Sequence, residues 1–183
     1  EGKKGYLVPA DAPVPRGDDN VKRFLQNALT MSRILTWSRE MEARHALFLF
    51  DSCFSGTIFK TKALPELPPH ISSLTGKPVR QFIAAGSAGE EVPAQSVFTP
   101  SFIRALRGEG DLNRDGYVTG TELGMYLHEK VLEYNPGQTP QYGKIRDPDL
   151  DEGDVVFVMD AGPESVEPAP AVAPPPPAAV IFG

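Results

Sequence analysis

His45–Gly56 reads HALFLFDSCFSG and holds the one cysteine of the chain, Cys53. Ala46–Phe50, ALFLF, is apolar at every position, so neither face of a strand built from it would suit water. Strands apolar on both faces lie at the centre of parallel sheets covered by helices. A buried helix segment has the same composition, but so short a run suits a strand better. Asp51, Ser52, Ser55 and Gly56 then supply a small, polar turn. Such a strand delivers its last side chains to the carboxyl edge of the sheet, where open α/β sheets bind ligands. Cys53 would there be partly exposed and close to backbone N–H groups, which favours the thiolate. The commoner fate of a free cysteine is to pack as a small buried hydrophobe. The strand-end placement and polar neighbours weigh toward the nucleophile.

Earlier in the chain, GYLVPADAPVP gives a short strand at Tyr6–Val8 and a proline-punctuated loop. Asp18–Asn20 can start a short helix carrying Phe24, Leu25 and Leu29, and Ser32 reads as the cap of a second. Residues 57–78 read as a long loop, and VRQFIAAG (79–86) as the next strand. In SVFTPSFIRALRG, Thr99 reads as a helix cap, Pro100 as the first helical residue and Gly108 as the stop. A later helix is expected from about Thr121 to Tyr134, ending before Pro136, and DVVFVM (154–159) reads as a last strand. Strands alternating with helices predict an α/β sandwich. From residue 161 onward the chain is rich in Pro and Ala, the composition of an extended, disordered linker.

The bulk numbers suit one globular domain: 183 residues, 40% hydrophobic, 23% charged, net charge −6. No basic stripe speaks for nucleic acid as a partner, and no apolar run approaches the length of a membrane span. A single cysteine cannot form an internal disulfide, so redox compartment is not legible. No signal peptide is visible at Glu1, and localisation stays open.

DLNRDGYVTGTE, residues 111–122, fits the calcium-loop pattern D-x-[DN]-x-[DN]-G-x5-E at every constrained position. Asp111, Asn113 and Asp115 would give side-chain oxygens, Tyr117 its carbonyl, Thr119 a direct or water-mediated contact and Glu122 both carboxylate oxygens. Helices are expected on both sides, as an EF-hand requires. Mg²⁺ fits less well, because it wants a smaller octahedral shell. The bland alternative is an Asp/Asn-rich turn that caps the next helix.

LFLFDSCFSG resembles the active-site segment of caspase-like cysteine peptidases, above all metacaspases and their bacterial relatives. GYLVPADA resembles the stretch that follows their catalytic His-Gly. RQFIAAGSAGEEVPAQSVFTPSFIRAL resembles their substrate-binding strand and the following helix, and GQTPQYGKI with GDVVFVM resembles their closing segment. The resemblance covers residues 5–159. It implies a three-layer sandwich, with helices on both faces of a central, mostly parallel sheet whose N-terminal strands are missing. Residues 1–160 would form the C-terminal portion of the domain, and 161–183 the linker.

The resemblance also implies a thiol endopeptidase acting on protein or peptide substrates. Cys53 would be the nucleophile, and its backbone N–H part of the oxyanion hole. Asp51 matches the family's acid two residues before the nucleophile, which implies cleavage after Arg or Lys; a local turn-forming role is the plainer reading. Glu90 and Glu91 fall near the implied substrate edge, although solvated surface is the usual fate of such a pair. Caspases carry their histidine base about 50 residues before the cysteine, which lands at the start of this chain, where no histidine stands. His45 lies at the foot of the apolar strand, roughly 17–25 Å from its far end. His70 follows the nucleophile in a loop the family does not use, and His128 lies on the late helix. The base is therefore expected on an N-terminal fragment of the same domain. Without it the Cys53 strand should lack sheet partners and expose apolar surface. A non-catalytic, calcium-binding scaffold of the same fold is the alternative.

Overall fold

Strand β5 (Val79–Ser87) is the spine of the molecule. It lies between β3 (His45–Phe54) and β7 (Gln141–Ile145), and β4 (Phe59–Thr61) closes the far side, giving the order β3-β5-β7-β4. The structure is a computed structural model that describes residues 5–9, 12, 18–54, 59–61, 71–87, 90 and 96–159. The 161–183 linker expectation lies outside the described residues.

The sheet is mixed. β3 and β5 run parallel, while β5–β7 and β7–β4 are antiparallel. This corrects the expectation of a mostly parallel sheet: the stretch resembling a closing segment, GQTPQYGKI, returns as a strand beside β5. The apolar run 46–50 is corrected too, because β3 is an edge strand, and among the described residues only β5 pairs with it.

Helices cover both faces. On one, Ile83 and Ala85 of β5 meet Phe98 of α4 (Phe98–Arg104) and Leu123, Leu127 and Val131 of α5 (Gly120–Tyr134). On the other, Phe82 and Ala84 meet Met31 and Ile34 of α2 (Met31–Glu40). This division follows from the strand period of two, which sends alternate side chains to opposite faces. Phe48 and Phe82 are register partners, and their rings stack at 4.7 Å.

Arg80 interrupts the apolar pattern of β5, yet it is only 2% exposed. A buried guanidinium needs acceptors. It donates to the carbonyls of Ser38 (2.5 Å), Met41 (2.7 Å) and Arg44 (3.1 Å). Those are the exit of α2 and the connection into β3, so Arg80 fixes where β3 begins.

Smaller elements fill the remainder. β1 (Tyr6–Leu7) pairs with β2 (Leu29–Thr30), and α1 (Asp18–Asn27) lies between them. Leu29, expected on α1, thus belongs to a strand. The cap of α2 is Thr30, whose hydroxyl accepts from the Arg33 N–H, rather than Ser32. The expected 57–78 loop contains β4 and α3 (Ile71–Thr75). Helix α4 starts at Phe98 with Val97 at the cap position, not Thr99, and the Phe98 N–H donates to Ser96 Oγ. Its last turn widens over Ala105–Glu109 and breaks at Gly108 (φ 113°), the expected stop.

Candidate active site and candidate metal loop

β3 and β5 end together. Offsets along the pair are constant from His45↔Val79 to Phe50↔Ala84, and then Cys53 faces Gly86 and Phe54 faces Ser87. Three steps on β3 match two on β5, so one extra residue is inserted at Asp51–Ser52. A bulge of this kind re-aims the side chains beyond it. The backbone of Cys53 therefore sits at the carboxyl end of a parallel strand pair, immediately after a bulge.

Asp51 is exposed, and both its oxygens are engaged. Oδ1 accepts from Ser96 Oγ (2.5 Å) and Oδ2 from Thr99 Oγ1 (2.6 Å). The two hydroxyls fix the carboxylate in place and tie the bulge to the start of α4. Thr99, expected as a cap, serves this purpose instead.

Glu90 is not the solvated surface acid that its sequence context suggests. Its Oε2 accepts from the N–H groups of Ser87 (2.8 Å) and Thr139 (2.7 Å). Burial pushes its carboxyl up, but the backbone donors of Thr139 and Ser87 outweigh burial and hold it below the usual range. Gln138, 1% exposed, adds a bond from Nε2 to the Ala85 carbonyl (2.8 Å). Together they staple the entry to β7 onto the end of β5. Sequence reading singled out Glu90 but not Gln138 or Thr139. Glu91 lies outside the described residues.

The described histidines are placed away from this bulge or are otherwise bonded. His45 is at the opposite end of β3, and its Nε2 meets the Lys77 carbonyl at 3.0 Å. His128 on α5 meets the Pro140 carbonyl through Nδ1 at 3.2 Å. His70 lies outside the described residues.

The loop 111–122 is wound tightly on its own oxygens. Asp111 accepts from the N–H groups of Asp115 (3.1 Å) and Gly116 (2.9 Å). Asn113 Oδ1 accepts from Asp115 N–H (2.8 Å), and Asp115 Oδ1 from Tyr117 N–H (2.9 Å). Gly116 (φ 84°) makes the sharp turn, a conformation L side chains rarely adopt. Thr119 is the N-cap of α5 and Glu122 completes a capping box: the Thr119 hydroxyl accepts from Glu122 N–H, and Glu122 Oε2 accepts from Thr119 N–H. The plainer reading of the loop, a turn that caps the next helix, is thus realised in its last four residues. Among the described residues, no group of three or more His, Cys, Asp or Glu is gathered closely enough to hold a metal.

A second buried polar cluster escaped sequence reading altogether. Gln81 Nε2 donates to Asp154 Oδ1 (2.5 Å) and Tyr142 Oη (2.9 Å), and Thr121 Oγ1 donates to Asp154 Oδ2 (2.5 Å). It ties β5, β7, the first turn of α5 and the approach to β8 (Val156–Val158) together. Burial, and then the Asp154 charge, push the Tyr142 hydroxyl up from its ordinary pKa.

Compared with known proteins, the chain matches no family model, no curated protein and no solved structure.

Proposed function

We propose that this chain carries the nucleophile of a caspase-like cysteine endopeptidase that cleaves after Arg or Lys. In this reading the Cys53 thiolate attacks the scissile carbonyl carbon. The C–N bond then breaks as an imidazolium protonates the leaving amine, and water hydrolyses the thioester. In this reading the imidazole is supplied by an N-terminal fragment of the same domain, and His45, at the wrong end of β3, is not the base. The open edge of β3 is where that fragment would pair. The isolated chain is accordingly expected to be catalytically incomplete.

The observation that supports the reading best is the shared carboxyl end of β3 and β5, with Cys53 facing Gly86 just past a bulge. Ligand sites of open α/β sheets sit at such ends. Asp51 and Glu90 offer negative charge there for a basic side chain. Two hydroxyls hold the Asp51 carboxylate in place, and backbone donors hold the Glu90 carboxyl below the usual range.

A non-catalytic, calcium-binding scaffold of the same fold is the rival. The test is labelling with a peptide chloromethyl ketone ending in Arg, on the protein as expressed from its native gene. Peptidase function predicts modification of Cys53 at least ~10-fold faster than with the same peptide ending in Asp, since one charge contact at a site is worth about a factor of ten. Equal, slow labelling by both would leave the scaffold.

A further inference from the structure

Glu122 is completely buried, yet only one of its two oxygens is explained by the fold. Oε2 serves the capping box at Thr119, while Oε1 has no hydrogen-bond partner among the described residues. A buried carboxylate oxygen left bare is costly, and native structures seldom tolerate one without an ion or water. Its sister oxygen is hydrogen-bonded to Thr119, so the bare oxygen is buried beside the last residues of loop 111–122.

The strand inside that loop decides what else faces this oxygen. β6 (Tyr117–Thr119) pairs with β8 in antiparallel fashion, with Val118 opposite Phe157. Met159 N–H donates to the Gly116 carbonyl (2.9 Å), and Gly120 N–H to the Val155 carbonyl (2.7 Å). Residues 116, 118 and 120 therefore bond toward β8, so the backbone groups of Tyr117 and Thr119 point the other way, into the loop. Their N–H groups do so visibly, donating to Asp115 and Glu122. The Tyr117 carbonyl shares that side.

We propose that residues 111–122 hold one calcium ion, with Glu122 Oε1, the Tyr117 carbonyl and the side-chain oxygens of Asp111, Asn113 and Asp115 as its ligands. The donor set is all oxygen and carries three carboxylates, which suits a hard divalent cation with a large, flexible shell. The three carboxylates are not gathered among the described residues, so binding draws them together, with Glu122 turning from its capping position to close the site. The partner strand of the loop is β8 of the same domain in place of a second hand, so binding is single-site and non-cooperative. The inference stands independently of the peptidase reading.

Calorimetric titration of chelator-stripped protein with CaCl₂ tests it. The expected result is one ion per chain with Kd on the order of 10⁻⁶ to 10⁻³ M, unaffected by about 1 mM MgCl₂. Glu122→Gln keeps an acceptor for Thr119 but loses the charge. It should weaken binding at least as much as loss of a supporting group does, ~10–100-fold. Asp115→Asn, at an exposed position, should weaken binding likewise and decides the matter if Glu122→Gln does not fold by circular dichroism. Glu152→Gln, which alters only a surface ion pair with Lys77, should bind as the parent does. Absence of binding to the folded protein at about 10 mM CaCl₂, above the weakest natural sites, would overturn the proposal. So would equal affinity for Mg²⁺, or parental affinity in the folded variants.

Discussion

β3 and β5 are neighbours in strict register along six residue pairs, and their environments are opposite. β5 is buried at every position from Val79 to Gly86, although its sequence includes Arg80 and Gln81. β3 is only half-buried from His45 to Phe50, although its sequence is the more apolar. Burial follows from how many neighbours a strand has, not from its own composition. β5 has strands on both edges and helices on both faces, and its polar residues are matched by Asp154, Tyr142 and the exit of α2. Among the described residues β3 pairs along one edge only, and its apolar side chains from Ala46 to Phe50 are half-buried.

The sharpest way to break this contrast is at the polar centre of the covered strand. Asp154→Ala removes the acceptor of both Gln81 and Thr121. Two charge-assisted bonds in a buried site predict a loss of about 3–5 kcal/mol in urea unfolding. A loss under ~1 kcal/mol would mean the cluster is solvated, and β5 no better determined than β3.

The contrast is measured directly by truncating two register partners, Ile83 on β5 and Leu49 on β3. Both pack toward the α4–α5 face. Ile83→Ala should cost about 3–4 kcal/mol, and Leu49→Ala only about 1–2, because a half-covered side chain leaves a smaller cavity. Equal costs would show that the outer edge of β3 is covered after all. If a fragment pairs with that edge, its addition should raise the cost at Leu49 toward that at Ile83 and leave Ile83 unchanged.

A smaller effect isolates the hydroxyl of the same cluster. Tyr142→Phe should cost about 1–2 kcal/mol at neutral pH. Because the fold raises the Tyr142 pKa, its contribution is complete below the unfolded value of about 10 and is lost as pH rises beyond it. The gap between the variant and the parent should therefore close in the alkaline range, followed as the urea midpoint against pH. A gap that stays constant would mean the phenol does not titrate with unfolding.

How much of this was legible in the sequence depended on whether the signal was local. Residues 111–122 were readable position by position, because the turn at Gly116 and the capping of α5 are settled within a few residues. The strands of β3, β5 and β8 and the Gly108 stop were readable for the same reason. Sheet order was not, since ALFLF carries the composition of a central strand whichever place it occupies. Gln81, Thr121, Tyr142 and Asp154 are scattered along the chain and meet only through β5–β7 pairing, so no spacing announces them. Thr99 sits where a cap would, but the bulge brings Asp51 within reach and redirects its hydroxyl.

The mildest perturbation probes the rim where the two strands end. Glu90 takes the N–H groups of Ser87 and Thr139, and Ser87 is the register partner of Phe54, next to Cys53. Its pKa is lowered in the fold, so its contribution is present above the unfolded value of about 4.3 and disappears as pH falls through the folded one. Glu90→Gln keeps an acceptor but loses the charge, and global stability should move by less than ~1 kcal/mol. Amide exchange at Ser87 and Thr139 should nevertheless quicken at neutral pH, and match the parent once the parent carboxylate is protonated. Unchanged exchange at neutral pH would show that the staple does not hold the end of β5. The placement of Gly86 and Ser87 beside Cys53 would then rest on β3 pairing and on the Gln138 bond to the Ala85 carbonyl.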